Sequence, residues 1–277
     1  MKKCRKGIII CLVIVLLLVI LVLDSCSRVV TSEYTVSSHN LPESFEGFTI
    51  VQLSDLHGRI FGKDSARLVK KTAERKPDII VITGDMVDEN TGDLTEIESL
   101  LRQLRDIAPV YYVSGNHEWW AGCLPELETV FARQDVHYLK NEYVLLEQGG
   151  ETIALLGVED PNGPAAMIKP PELVEALETD AGEGFRVLLG HRNYWREAYP
   201  ELDVDLIFCG HAHGGIVRLP LFGGLVGSNF DLFPMDVDGT AESGRYTMVV
   251  SRGLGNSVPV PRFLNNPELV VVKLKSE

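Results

Sequence analysis

Five apolar, largely branched runs recur along this chain, and each stops at a carboxylate, an amide or an imidazole: "IVQLSDLH", "IIVITGD", "VYYVSGNHE", "VLLGHR" and "LIFCGHAH". A short run with no polar alternate face reads as a strand covered on both sides. Between such runs, "SARLVKKTAER", "LTEIESLLRQLRDI" and "PELVEALETD" space their apolar residues as helices do. Alternation of this kind argues for βαβ units and one α/β domain built on a largely buried sheet. "HYLKNEYVLLEQGGETIALLGVED" adds two strands joined at a Gly-Gly turn, and "GIVRLPLFGGL", "RYTMVVSRGLG" and "ELVVVKLK" read as further strands.

The carboxyl ends of parallel strands converge on one edge of such a sheet, where ligands bind. Five of the seven histidines, His57, His117, His191, His211 and His213, fall at strand ends together with Asp55, Asp85 and Asn116; His39 and His137 do not. In extended backbone, residues i and i+2 face the same way, so Asp55 with His57 and His211 with His213 are expected to act as two-pronged grips. Each has a local alternative. Asp55 can cap a helix, Asn116 can form a turn, and a single histidine is more often structural than a ligand. Taken together, the set points to metal binding.

Residues 7–23 carry no charge and follow Lys2, Lys3, Arg5 and Lys6. At ~1.5 Å per residue this stretch is about 26 Å long, enough to cross a hydrocarbon core. An uncleaved signal anchor is favoured over a cleaved signal peptide or a lipoprotein signal ending at Cys26. No small-x-small pattern follows the run, and Asp24 makes "LDSC" a poor lipobox. A soluble core helix would need a polar face that the run lacks. The leading basic residues keep the N-terminus in the cytoplasm, so a single-pass protein of the cell membrane with an extracytoplasmic domain is expected. The organisation read from this is an anchor at 1–30, a polar linker at 31–45 and a globular domain at 46–277.

Net charge is −13, and the basic N-terminal segment contributes +4 up to residue 30, which leaves −17 beyond it. Such a surface repels polyanions and argues against a nucleic-acid scaffold. Only Cys123 and Cys209 of the five cysteines lie in the globular part, so no disulfide framework is expected.

In order, the chain carries D-x-H at Asp55 and His57, G-D-x-x-D at Gly84, Asp85 and Asp88, and G-N-H-E at residues 115–118. Gly190–His191 and G-H-x-H at residues 210–213 follow, then "GGIVRLP", "SRGLG" and "RFLNNPEL". From about residue 46 to 275 this set resembles the calcineurin-like metallophosphoesterases, in particular their small membrane-anchored or exported bacterial branch. The resemblance implies a four-layer α/β/β/α sandwich of the metallo-dependent phosphatase type, preceded here by one transmembrane helix. It also implies a dinuclear metal centre: Asp55, His57 and His213 on the first ion, Asn116, His191 and His211 on the second, and Asp85 bridging. Imidazole, carboxylate and amide donors suit manganese, iron or zinc.

The expected reaction is hydrolysis of a phosphodiester, pyrophosphate or phosphomonoester, with a metal-activated hydroxide attacking phosphorus. By the resemblance, His117 is the catalytic group that steadies the transition state or protonates the leaving oxygen. Glu118 can orient that imidazole or be a solvated turn residue. Asp88 can support the ligands or close a loop, and Arg192 with Asn193 can contact substrate. The rival class is a membrane-attached metal-binding scaffold without turnover. Trp119 and Trp120 with "RLPLFGG" suit an apolar rim that would admit a lipid-linked or cell-envelope phosphoester. Burial of Leu219, Leu221 and Phe222 as strand core is the plainer expectation.

Overall fold

The computed structural model of the chain describes residues 2–163, 169–181, 184–227 and 230–277. Residue 1 of the expected 1–30 anchor and a few positions of the expected 46–277 domain lie outside them. The strands are β1 Val30–Ser38, β2 Thr49–Leu53, β3 Ile79–Thr83, β4 Val110–Val113, β5 Val136–Tyr138, β6 Glu142–Gln148, β7 Glu151–Gly157, β8 Arg186–Leu189, β9 Leu206–Cys209, β10 Val217–Leu219, β11 Gly223–Val226, β12 Gly239–Glu242, β13 Thr247–Val250 and β14 Glu268–Ser276. The helices are α1 Lys2–Ser27, α2 Ala66–Ala73, α3 Thr95–Arg105, α4 Asn116–Ala121, α5 Leu124–Gln134, α6 Pro170–Ala181 and α7 Trp195–Ala198.

Two six-stranded mixed sheets form the middle of the molecule, in the orders β1-β14-β2-β3-β4-β5 and β12-β13-β9-β8-β7-β6. Strands β2, β3, β4 and β5 run parallel, as do β7, β8, β9 and β13, while β14, β6 and β12 pair antiparallel to their neighbours β2, β7 and β13. Strand alternation divides each sheet's side chains between two cores. Ile50, Ile79 and Val81 face Val187, Leu206 and Phe208 between the sheets. Val51, Ile80 and Ile82 pack outward on Leu68, Leu101 and Phe131 of α2, α3 and α5. On the far side Leu188, Ile207 and Met248 pack on Leu173, Leu177 and Trp195 of α6 and α7. Three cores between four layers make the expected α/β/β/α sandwich, and each fully buried aliphatic chain contributes about 1.5–3 kcal/mol.

The helices form as their spacing dictates. In α3, Ile97, Leu100, Leu101 and Leu104 make the buried stripe, with Glu96 and Glu98 in the first turn and Arg102 and Arg105 in the last. The hairpin β6–β7 turns at Gly149 and Gly150, whose φ values are 62° and 85°. Cys123 and Cys209 are free thiols.

The expected 31–45 linker needs correction. Most of it is β1, an edge strand paired in parallel with β14 from Val30↔Glu268 to Ser38↔Ser276, and Val36, Leu41 and Phe45 enter the core between the sheets. An edge strand keeps one face in water, which is why "TSEYTVSS" reads as polar. The end of α1 is packed rather than tethered: Ser25 is buried, Asn266 Nδ2 donates to Asp24 O at 2.8 Å, and Arg59 donates to Cys26 O. The stretch Arg5–Ser27 has a mean hydropathy of 3.4 and no buried residue before Ser25, so by length and composition it can cross a membrane.

Candidate metal centre

Every residue expected at the site sits just past a strand, at the same edge of the sandwich. Asp55 and His57 follow β2, Asp85 follows β3, Asn116 begins α4 after β4, His191 follows β8, and His211 and His213 follow β9. The extended-backbone expectation for the paired grips is corrected by the dihedrals. Asp55, His57, Asp85, His211 and His213 all have positive φ, from 48° to 68°. The chain turns sharply as each strand ends, and left-handed backbone aims these side chains inward instead of to alternate faces.

Two donor sets result. His191 Nε2 lies 3.2 Å from Asp85 Oδ2, 3.0 Å from Asn116 Oδ1 and 3.1 Å from His211 Nδ1. His57 Nε2 lies 3.3 Å from His213 Nε2 and 3.7 Å from Asp85 Oδ2, while His213 Nε2 is 3.6 Å from Asp55 Oδ1. Asp85 Oδ2 is common to both sets. Donor atoms about 2.0–2.2 Å from one cation stand about 3–3.6 Å apart, which these spacings match closely. Six of the seven residues are buried, and His211 is partly buried. Deeply buried imidazoles and carboxylates with so few other partners fit a divalent cation better than an apolar core.

Burial and close pairing displace the proton affinities of the cluster in both directions. Burial depresses the imidazoles of His57, to about 4, of His211, to about 3, and of His213, so they stand as free bases ready to ligate. His191 is the exception: burial would lower it too, but the Asp85 carboxylate lifts it to about 10. Asp85 behaves conversely. Burial would raise it, and the His191 imidazolium beside it holds its carboxyl well below the usual range. Asp55 is pushed up to about 6 by burial, against the pull of His191. His191 Nδ1 meets Thr83 O at 2.8 Å, which turns Nε2 toward the cluster.

Around these groups lies a supporting shell. Glu118 neither orients His117 nor faces solvent. It is fully buried and accepts N–H bonds from Gly115, Asp85, Met86 and Val87, tying the β3 loop to the start of α4. Burial, then the Asp85 charge, push its carboxyl up to about 7. Gly84, with φ 81°, has no room for a side chain: a Cβ would stand 2.6 Å from Gly115 Cα and 2.8 Å from His191 Nδ1. Asp88 closes a loop with Asn90 N and Thr91. Arg192 pairs with buried Asp160 and reaches His211 Nε2 at 3.2 Å, whereas Asn193 donates to Asp236 O.

Two further supports carry no chemical signature in the sequence. Arg262 is fully buried, donates to Gly255 O and Arg252 O, and lies 3.3 Å from His213 Nδ1. Asn265 donates to His213 O at 2.7 Å. Both lie within "RFLNNPEL", where an arginine flanked by proline and phenylalanine gives no hint of burial.

A cavity of about 280 Å³ opens onto the cluster and is lined by Glu89, His117, Trp120, Ser257 and Val258 besides the ligand candidates. The His117 N–H is held by Asp85 Oδ1 at 2.9 Å, and its ring meets His57 and Trp120 edge-on at 4.6 Å and 5.0 Å. A second cavity, about 140 Å³, adjoins across His211 and is lined by Asn193, Pro234 and Met235. A larger hollow of about 430 Å³ beside α6 and α7 has no imidazole in its lining. Burial of Leu219, Leu221 and Phe222 as strand core is not what the fold provides: all three are exposed, as is Trp120 at 63%.

The profile of the family described as calcineurin-like phosphoesterase matches residues 48–215. An uncharacterized metallophosphoesterase of Aquifex aeolicus is 31% identical over 252 residues, covering 88% of this chain and 91% of that protein. The uncharacterized metallophosphoesterase YkuE of Bacillus subtilis is 29% identical over 251 residues, covering 89% and 85%. The solved structure of the sulfate thiohydrolase SoxB of Thermus thermophilus shares the fold, with a TM-score of 0.50 at 15% identity, over 85% of this chain and 57% of that one.

Proposed function

This chain belongs to the calcineurin-like phosphoesterase family, and on that premise we propose that it is a dinuclear-metal hydrolase of phosphoesters, anchored in the cell membrane with its site outside the cytoplasm. The observation that carries the proposal is the sharing of Asp85 Oδ2 by two complete donor sets. Asp55, His57 and His213 would hold one divalent cation, and Asn116, His191 and His211 the other, with Asp85 shared between them. Manganese, iron and zinc all suit these donors.

When bound, the cation pair supplies Lewis-acid activation of water and neutralises phosphate charge. The chain's own groups do the rest. Asp85 Oδ1 fixes His117 through its backbone N–H, leaving that imidazole at the cavity lining to deliver a proton to the leaving oxygen. Glu118 keeps the Asp85 and Asn116 loops in register by holding four amides at once. Arg192, anchored by Asp160, restrains His211 and lends positive charge beside an incoming phosphate. The buried walls exclude water from the remaining donor atoms.

Orientation follows from Lys2, Lys3, Arg5 and Lys6 ahead of α1, which keep that end in the cytoplasm. An anchored domain with an apolar rim is suited to phosphoesters carried on a lipid or derived from the cell envelope. The test is metal analysis of the purified full chain together with a phosphoester panel that includes bis-p-nitrophenyl phosphate with added manganese. The wild type should hold two equivalents of metal and turn over, and Asp85→Asn and His211→Ala should lose both. Equal rates in all three would remove the hydrolase reading. Metal retained without turnover on any ester would favour a non-catalytic scaffold.

A further inference from the structure

Residues 219–227 and 230–235 present apolar side chains that nothing among the described residues covers. Leu221, Phe222, Phe230, Leu232, Phe233 and Met235 are all exposed, Met235 at 76%. Soluble monomers rarely expose so many large apolar groups together, and such clusters mark an interaction surface. Leu221, Phe230 and Phe233 also have positive φ, 71°, 62° and 52°, a costly backbone for bulky residues. The loop thus accepts backbone strain while placing its side chains in water.

Its location says what covers it. Strand β10, at the base of this hairpin, is joined to the segment that receives α1. Arg218 N donates to Phe263 O and Phe263 N to Ile216 O, while Arg262 O lies 3.8 Å from Cys26 Sγ and Asn266 holds Asp24. Ile60, also exposed, follows Arg59, which donates to Cys26 O. The base of the apolar hairpin therefore stands beside the segment that receives the foot of the hydrophobic helix. The same region borders the site. Val258 lines the metal cavity on the loop leading to Arg262, and Pro234 and Met235 line the adjoining cavity beside His211.

We propose that residues 219–227 and 230–235 form a second membrane contact, inserting the side chains of Leu221, Phe222, Phe230, Leu232, Phe233 and Met235 into the interface of the bilayer that α1 spans. This rests on the anchored reading given above and fixes what that reading leaves free, the orientation of the domain. The cavity mouth then stands at the lipid surface instead of pointing into solution. Attraction is apolar in origin: Arg218 is paired with Asp238, and a chain of net charge −13 gains nothing from anionic lipid.

The test uses full-length protein in phosphatidylcholine nanodiscs, with and without lipid brominated on its acyl chains. Phe222→Trp and Leu221→Trp are read against the wild-type signal of the three native tryptophans. Lys275→Trp is the control. It sits near the end of β14 that pairs with Ser38, the end of β1 remote from α1 and about 25 Å along the strand. Emission added by either hairpin tryptophan should be blue-shifted and fall by about half or more in brominated discs, and that at position 275 should not. Co-elution with discs combined with solvent-like, unquenched emission would overturn the contact alone. Blue-shifted but unquenched emission would give the face to a second copy of the chain and also overturn it. Failure to co-elute with discs would overturn the anchored reading and this contact together, leaving the hydrolase reading untouched.

Discussion

Asp85 Oδ2 and His191 Nε2 stand 3.2 Å apart, a buried carboxylate and a buried imidazole whose proton affinities are displaced in opposite directions by one another. In the proposed centre, the pair places a proton where a cation would bind. Metal loading is therefore an exchange of charge at a fixed point, and its dependence on pH has a definite sign.

With His191 at about 10, the metal-free chain carries that proton at neutral and mildly alkaline pH, and a cation must displace it. Lower pH favours the protonated pair, so apparent affinity for the cation bound by His191 should fall about tenfold for each unit of pH below that value. Calorimetric titration of metal into the stripped protein near pH 8, in two buffers of different ionisation heat, should report about one proton released. No release would mean that His191 is not displaced and does not ligate.

His117→Gln should retain both metals, because the Asp85 contact comes from the backbone N–H rather than the ring. Its kcat should fall about 10²–10⁴-fold on an ester with an alkoxide leaving group and less with p-nitrophenolate, which needs no proton. An equal loss on both esters would contradict proton delivery by this imidazole.

Glu118→Gln turns an amide N–H₂ toward backbone donors that now share a carboxylate. Leaving buried N–H groups without acceptors costs about 1–3 kcal/mol, so the melting temperature should drop. Metal content should drop with it, since Asp85 and Asn116 lose their common tie. A variant of unchanged stability and metal content would mean that the four amides are satisfied otherwise.

Gly84→Ala adds a methyl where Gly115 and the His191 ring leave no space, at a backbone φ of 81°. A loss of about 2–4 kcal/mol is expected, with weakened metal retention. Gly92→Ala, where nothing lies within 4 Å, should stay within about 0.5 kcal/mol of wild type. Equal stability of the two variants would deny the close packing of the β3 and β4 loops.

Much of the layout was legible in residue order. Apolar runs such as "IIVIT" and "LIFC" have no polar alternate and must be covered on both faces, which is enough to call for a sheet between helical layers. Polar residues at the ends of such runs meet at one edge wherever strands run parallel, so Asp55, Asp85, Asn116 and the imidazoles could be grouped beforehand. Segment 31–45 reads as a linker because an edge strand has one wet face, where side chains follow solvent rather than packing.

By itself, then, the sequence determined which groups can meet and what chemistry they carry, because burial periodicity and donor type are local properties of the chain. How they meet was decided by the tertiary structure. Left-handed turns at Asp55, His57, Asp85, His211 and His213 aim the donors, and they exist only because neighbouring loops hold them there. The same holds for buried Arg262 behind His213, for Glu118 across four amides, and for Leu221 and Phe222 left in the open. The contacts that decide these placements, such as His213 to Arg262 and Glu118 to Asp85, join residues tens of positions apart, and composition and spacing hold no record of that pairing.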